Sequence, residues 1–124
     1  MKEIVYVCSP LRGDTEKNIK NAKSYCRFTY EKGFIPYAPH LFFTQFMNDD
    51  DENERNDAIT MGLQMLKCAT ELWVFTDSGI SMGMAQEIEQ AGREDMPVRY
   101  FKNLEEVGMG AYEETLDPLE MRQL

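Results

Sequence analysis

Apolar and polar positions fall into blocks along this chain, each with its own period. Ile4 to Cys8 is a continuous apolar run rich in β-branched and aromatic residues, closed by Ser9-Pro10 and Arg12-Gly13. That is the pattern of a strand covered on both faces of a parallel sheet. From Asp14 the period becomes helical: Asp14 or Thr15 offers an N-cap, Ile19, Ala22, Cys26 and Tyr30 share a face, and Gly33 marks the stop. A strand resumes over Phe34 to Ala38, with Pro36 placing it near an edge. A second helical pattern carries Ile59, Leu63 and Leu66, with Met61, Met65 and Cys68 as further apolar positions. Glu71 to Thr76, containing Leu-Trp-Val-Phe, reads as a third buried strand. A Gly- and Ser-rich turn, a helix from about Ser81 to Arg93 and a strand over Pro97 to Phe101 follow.

The order β-α-β-α-β-α-β, joined by right-handed crossovers, predicts one α/β domain: an open parallel sheet of about four to five strands with helices on both faces. The chain reversal falls between strands one and three. Residues 1–101 make up this domain. Residues 102–124, with two Gly, one Pro and many acids, read as an acidic tail, expected to be partly helical or a subunit contact.

Composition narrows the class. A chain of 124 residues holds one core and is too short for two ordinary domains. A net charge of -9 opposes a nucleic-acid polymer or an anionic membrane surface as partner, and leaves a small molecule. Cys8, Cys26 and Cys68 are odd in number and far apart, so they read as reduced core thiols inside a strand and two helices. The N-terminal apolar run is too short for a signal peptide or a membrane span, and the expected location is cytoplasmic. The acidic run from Asn48 to Glu54 complements a helix start, and it lacks the Gly and terminal Glu of a calcium loop.

Ligands of such sheets bind outside the carboxyl ends of the strands, at the switch point. The loop after strand one is Cys8 to Gly13; that after strand three runs from Asp77 to Glu87; His40, the only histidine, follows strand two. The third loop feeds a helix, so its free N–H groups and the Ser81 hydroxyl form an anion site, which Gly83 lets a ligand approach closely. Gly83, Glu87 and Ala91 share a helix face, while Glu89 lies about 200° of rotation from Glu87. If Met84 and Ile88 pack inward, Glu87 looks toward the loops and Glu89 toward solvent. A carboxylate near a helix start is favoured in its ionised form, which suits a sugar nucleophile. The plain alternatives stay open: Glu87 as a solvated helix carboxylate, Arg12 as a surface partner of Asp14 rather than a phosphate ligand, His40 as a histidine packed by aromatic neighbours.

At these residues the sequence resembles the nucleoside 2-deoxyribosyltransferase superfamily, including its uncharacterised phage and bacterial branch and the deoxynucleoside 5'-monophosphate N-glycosidases. The likeness runs from about residue 3 to 101. It rests on Tyr6-Val7-Cys8-Ser9-Pro10-Leu11-Arg12-Gly13, where Tyr6, Arg12 and Gly13 match the hydrolase branch and Pro10 replaces a serine, and on Ser81-Met82-Gly83-Met84-Ala85-Gln86-Glu87, which keeps the family's Ser-x-Gly-x-x-x-Glu. The resemblance implies a Rossmann- or flavodoxin-like fold and a homo-oligomer. It implies no cofactor and no metal, and a nucleotide or nucleoside as ligand. Glu87 would attack C1', with Tyr6, Ser9, Arg12, Gly13, His40, Ser81 and Gly83 around the substrate. The family's further acid is absent from the aligned Met61-Gly62-Leu63, which leaves Asp57 and Asp77 as substitutes. The expected activity is N-glycosidic cleavage or deoxyribosyl transfer. The alternative is a non-catalytic nucleotide-binding or signal-sequestering module on the same fold, and a third reading is a protein-interaction domain.

Overall fold

Side chains alternate across a strand, so β1 (Ile4–Cys8) and β3 (Glu71–Phe75) each feed two separate cores. Val5, Val7, Trp73 and Phe75 pack with Tyr25, Phe28 and Phe101 on one face. Tyr6, Cys8, Leu72 and Val74 pack with Leu66, Met84, Ala91 and Tyr100 on the other. A computed structural model gives these positions and describes residues 1–102 and the strand Tyr112–Glu114. The remaining elements are α1 (Thr15–Glu31), β2 (Ile35–Tyr37), α2 (Pro39–Phe42) with a 3-10 turn over Phe43–Gln45, α3 (Glu52–Leu66), α4 (Met82–Arg93), β4 (Val98–Lys102) and β5 (Tyr112–Glu114).

The strands are ordered β2-β1-β3-β4-β5. The first four are parallel, with Tyr6 opposite Tyr37 on one side and Leu72 on the other. β5 adds an antiparallel edge to β4. The fold is thus the expected open α/β sheet, and the chain reverses between β1 and β3. Within 102–124 a strand stands at Tyr112–Glu114; the expected helical decoration and subunit contact otherwise lie outside the described residues.

Helix limits follow the cap chemistry. Asp14 caps α1, its Oδ1 accepting from Lys17 N–H at 3.3 Å, and Gly33 takes the left-handed φ of 97° just beyond the helix. Asp51 caps α3, accepting from the N–H groups of Asn53 and Glu54 at 2.9 and 3.2 Å, so the acidic run does cap a helix.

Three sequence expectations need correction. Of the expected α1 face Ile19, Ala22, Cys26 and Tyr30, only Ala22 is buried, Ile19 and Cys26 are half-buried and Tyr30 is exposed; Asn18, Tyr25, Phe28 and Thr29 complete the buried side. Large rings win that contest: Tyr25 stacks on Phe75 at 4.3 Å and Phe28 meets Phe101 edge-on at 5.3 Å. Cys68 is no core thiol, because α3 ends at Leu66 and leaves it exposed, whereas Cys8 is buried. The short helix α2 was not expected, since four residues carry no period; Pro39 at its start pre-sets the backbone. Among the described residues no helix is long and apolar enough to cross a membrane.

Candidate active site

The alternation that builds the two cores also points Tyr6 and Cys8 to the α4 side of the sheet. There they meet the one glutamate that α4 turns inward. The Tyr6 hydroxyl donates to Glu87 Oε2, and the Cys8 thiol donates to Glu87 Oε1 across 3.3 Å. Both carboxylate oxygens are therefore held from the floor of the sheet. α4 is oriented as its spacing predicts: Met84 is buried, Ile88 packs against the core, and Glu89 faces solvent in an ion pair with Arg93 at 2.8 Å.

Glu87 lies at the base of a cavity of about 320 Å³, within the roughly 300–1,000 Å³ usual for small-molecule sites. β1 and its loop contribute Tyr6, Ser9, Leu11 and Arg12. The segment after β2 contributes Pro39, His40, Phe43 and Met47. α3 contributes Arg55, Ala58, Ile59, Gly62 and Leu63, and α4 contributes Ser81, Met82, Gly83 and Glu87. Ile59 and Leu63, two apolar positions of the expected helical pattern, form cavity wall; α3 buries only Gly62 and Leu66. The result is a slot with apolar sides and a carboxylate at its base.

Burial pushes the Glu87 carboxyl up to about 7, and the hydrogen bonds from Tyr6 and Cys8 pull against that rise. At neutral pH the carboxyl is therefore about half ionised rather than wholly so, as its place near a helix start alone suggests. Glu87 sits in the second turn of α4, where the dipole has faded, so desolvation wins. Burial, reinforced by Glu87, holds the Tyr6 phenol and the Cys8 thiol well above their ordinary values, and both stay neutral donors.

The other expected residues divide into two groups. Ser81 caps α4, its Oγ accepting from Met84 N–H at 3.2 Å, and a Cβ on Gly83 would meet nothing nearer than that Oγ, at 4.0 Å. His40 Nε2 and Ser9 Oγ share a hydrogen bond of 3.2 Å, and burial lowers the imidazole to about 4, so it is neutral at pH 7. Arg12 lines the cavity but is not paired with Asp14: its Nε lies 3.2 Å from Asp49 Oδ2 and its Nη2 donates to the Asp49 carbonyl at 2.9 Å. Gly13, Asp57 and Asp77 are not in the cavity wall. Gly13 makes the turn into α1 with a φ of 104°. Asp57 is exposed on α3, and Asp77 accepts from the Tyr25 hydroxyl at 3.1 Å. Neither acid is brought to Glu87.

Sequence reasoning missed Cys8, Gly62, Asp49 and Arg55. Cys8 was legible, since it is two residues from Tyr6 on one strand and shares its face. So was Gly62: a glycine inside a helix signals a close approach, and its Cβ would stand 3.3 Å from the Tyr6 hydroxyl. Any side chain added there would press on the Tyr6 hydroxyl. Among the described residues no cluster of three or more His, Cys, Asp or Glu could hold a metal ion.

Sheet order and site together define a single-domain flavodoxin-like α/β protein with its cleft at the switch point. The chain belongs to the family described as "Domain of unknown function (DUF7768)", whose profile matches residues 3–101. Its fold is similar to that of a 2-deoxyribosyltransferase from Bacillus psychrosaccharolyticus, with a TM-score of 0.65 at 16% identity, over 97% of this chain and 80% of that one. A 2-desoxiribosyltransferase from Leishmania mexicana is also similar, with a TM-score of 0.56 at 16% identity, over 86% and 71% of the two chains. No curated protein matches the sequence significantly.

Proposed function

We propose that this protein acts on the N-glycosidic bond of a nucleoside or nucleotide, with Glu87 as nucleophile. The observation that carries the reading is a carboxylate gripped at both oxygens, by Tyr6 and Cys8, at the base of an apolar slot on the switch point. The fold shared with two deoxyribosyltransferases supports the choice of chemistry.

In this mechanism a Glu87 oxygen attacks C1', the C1'–N bond breaks, and its electron pair leaves with the base, which takes up a proton from water in the open cleft. The glycosyl ester on Glu87 is then resolved by water or by a second base, as in retaining glycosidases. Tyr6 and Cys8 fix the direction of attack. The apolar wall of Ala58, Ile59 and Leu63 suits a flat heterocycle, and Gly83 admits the ligand to the start of α4. With its carboxyl at about 7, Glu87 is about half ionised at neutral pH.

The test is a panel of 2'-deoxynucleosides and their 5'-monophosphates, followed for free base in the presence and absence of an acceptor base. Release that vanishes in Glu87→Gln supports the reading; no release by the unaltered protein, or undiminished release by the variant, sinks it. A second reading, a module that binds nucleotide without chemistry, is favoured by one observation: Asp57 and Asp77 both lie away from the slot. Ligand-induced thermal stabilisation with the ligand recovered intact would support that reading.

A further inference from the structure

Two arginines line the cavity, and they are not equivalent. Arg12 is spent on Asp49, whose side chain and backbone oxygens take its Nε and Nη2. Arg55 has no side-chain hydrogen bond or ion pair among the described residues. Its neighbour Glu54 forms no ion pair with it, the Glu54 carboxylate instead accepting the Asn48 N–H at 3.2 Å.

We infer that Arg55, and not Arg12, receives a negatively charged terminal group of the ligand, a phosphate or carboxylate. The position of Arg55 fits that role. Its backbone N–H bonds the Asp51 carbonyl at 2.8 Å, which fixes its Cα in the first turn of α3. Seven residues on, Gly62 stands against the Tyr6 hydroxyl that grips Glu87. Two helical turns, about 10 Å of rise, therefore separate the Arg55 backbone from Gly62, beside the reacting carboxylate's Tyr6 partner, and residues seven apart share a face. Ala58 and Ile59 line the stretch between. An unpaired guanidinium in a half-enclosed slot is suited to bidentate contact with an oxyanion. Arg12 must first be released from Asp49, whose own charge repels an incoming anion. Resting on the N-glycoside reading, this makes the 5'-monophosphate the preferred form of the ligand.

The experiment is calorimetric titration of the full chain, at low ionic strength, with 2'-deoxynucleosides and their 5'-monophosphates. Inorganic phosphate and acetate serve as separate anion probes. The unaltered protein should bind a monophosphate more tightly than its nucleoside. Arg55→Gln should lose at least about tenfold for the monophosphate and for whichever simple anion competes with it, while leaving the nucleoside unchanged. Arg55→Lys should recover part of the loss, and Arg12→Gln should cost less than Arg55→Gln. Competition by phosphate but not acetate identifies the group as phosphate, and the reverse identifies a carboxylate. Monophosphate and simple-anion binding indifferent to Arg55, an equal loss for nucleoside, or a larger loss in Arg12→Gln overturns the inference. Base release is followed separately, so Arg55-dependent binding with no release of base counts against the glycosidic chemistry and leaves this inference standing.

Discussion

Tyr6 on β1 and Glu87 on α4 stand 81 residues apart in the chain and share one hydrogen bond, donated by the phenol to Oε2. That bond favours the ionised carboxylate against the cost of burying it. Tyr6→Phe removes the donor and leaves Glu87 holding its proton to higher pH. The rate of base release at pH 7 should fall roughly tenfold and recover at alkaline pH. A pH–rate profile checks this, and an unmoved acid limb would contradict it.

Glu87 also ties stability to pH. Its folded value of about 7 exceeds the ordinary 4.5, so between those two the native state holds a proton that the unfolded chain has released. Stability therefore declines as pH rises from about 4.5 to 7, and the cost is complete above 7. Glu87→Gln should be more stable than the parent at pH 8, by on the order of 2 kcal/mol, with the gap closing near pH 4.5. Urea unfolding at the two pH values measures it.

His40 works in the opposite sense. Its folded value near 4 lies below the ordinary 6.5, so on acidification the unfolded chain takes up a proton first. Stability from this source is present above 6.5 and is lost as pH falls toward 4. His40→Gln should flatten the acid side of a plot of melting temperature against pH.

The two glycines of the cavity wall should respond differently to alanine. At Gly83 the added methyl finds open space, so the helix should gain up to about 1 kcal/mol from better propensity, while the methyl intrudes on the ligand. Melting temperature rises and turnover drops at least about tenfold. At Gly62 the methyl stands 3.3 Å from the Tyr6 hydroxyl; the propensity gain is offset by crowding, and the pH midpoint of Glu87 moves. Thermal melts and pH profiles of both variants separate the two cases.

Strand positions and the switch point were legible because strands buried on both faces are nearly continuous apolar runs, and helix ends because Asp14, Gly33 and Ser81 are caps with a local mechanism. Of the residues picked out for the site, Tyr6, Ser9, Arg12, His40, Ser81, Gly83 and Glu87 all line one cavity. What escaped depended on facts that spacing does not carry. The protonation of Glu87 is set by its depth. The role of Arg55 depends on how α3 is turned, and that of Asp49 on the loop before it; Ile59 and Leu63 wall the cleft while Leu66 alone of that stripe reaches the core.

Burial ranks the three thiols, with Cys8 buried, Cys26 half-buried and Cys68 exposed. Cys8 lies under Glu87 with its thiol held well above the ordinary range, and burial pushes Cys26 up to about 11, while Cys68 is exposed beyond the end of α3. A maleimide dye should therefore tag Cys68 first and leave the cleft untouched. The natural sequence thus provides a single-site fluorescent label for following ligand uptake without any engineered cysteine.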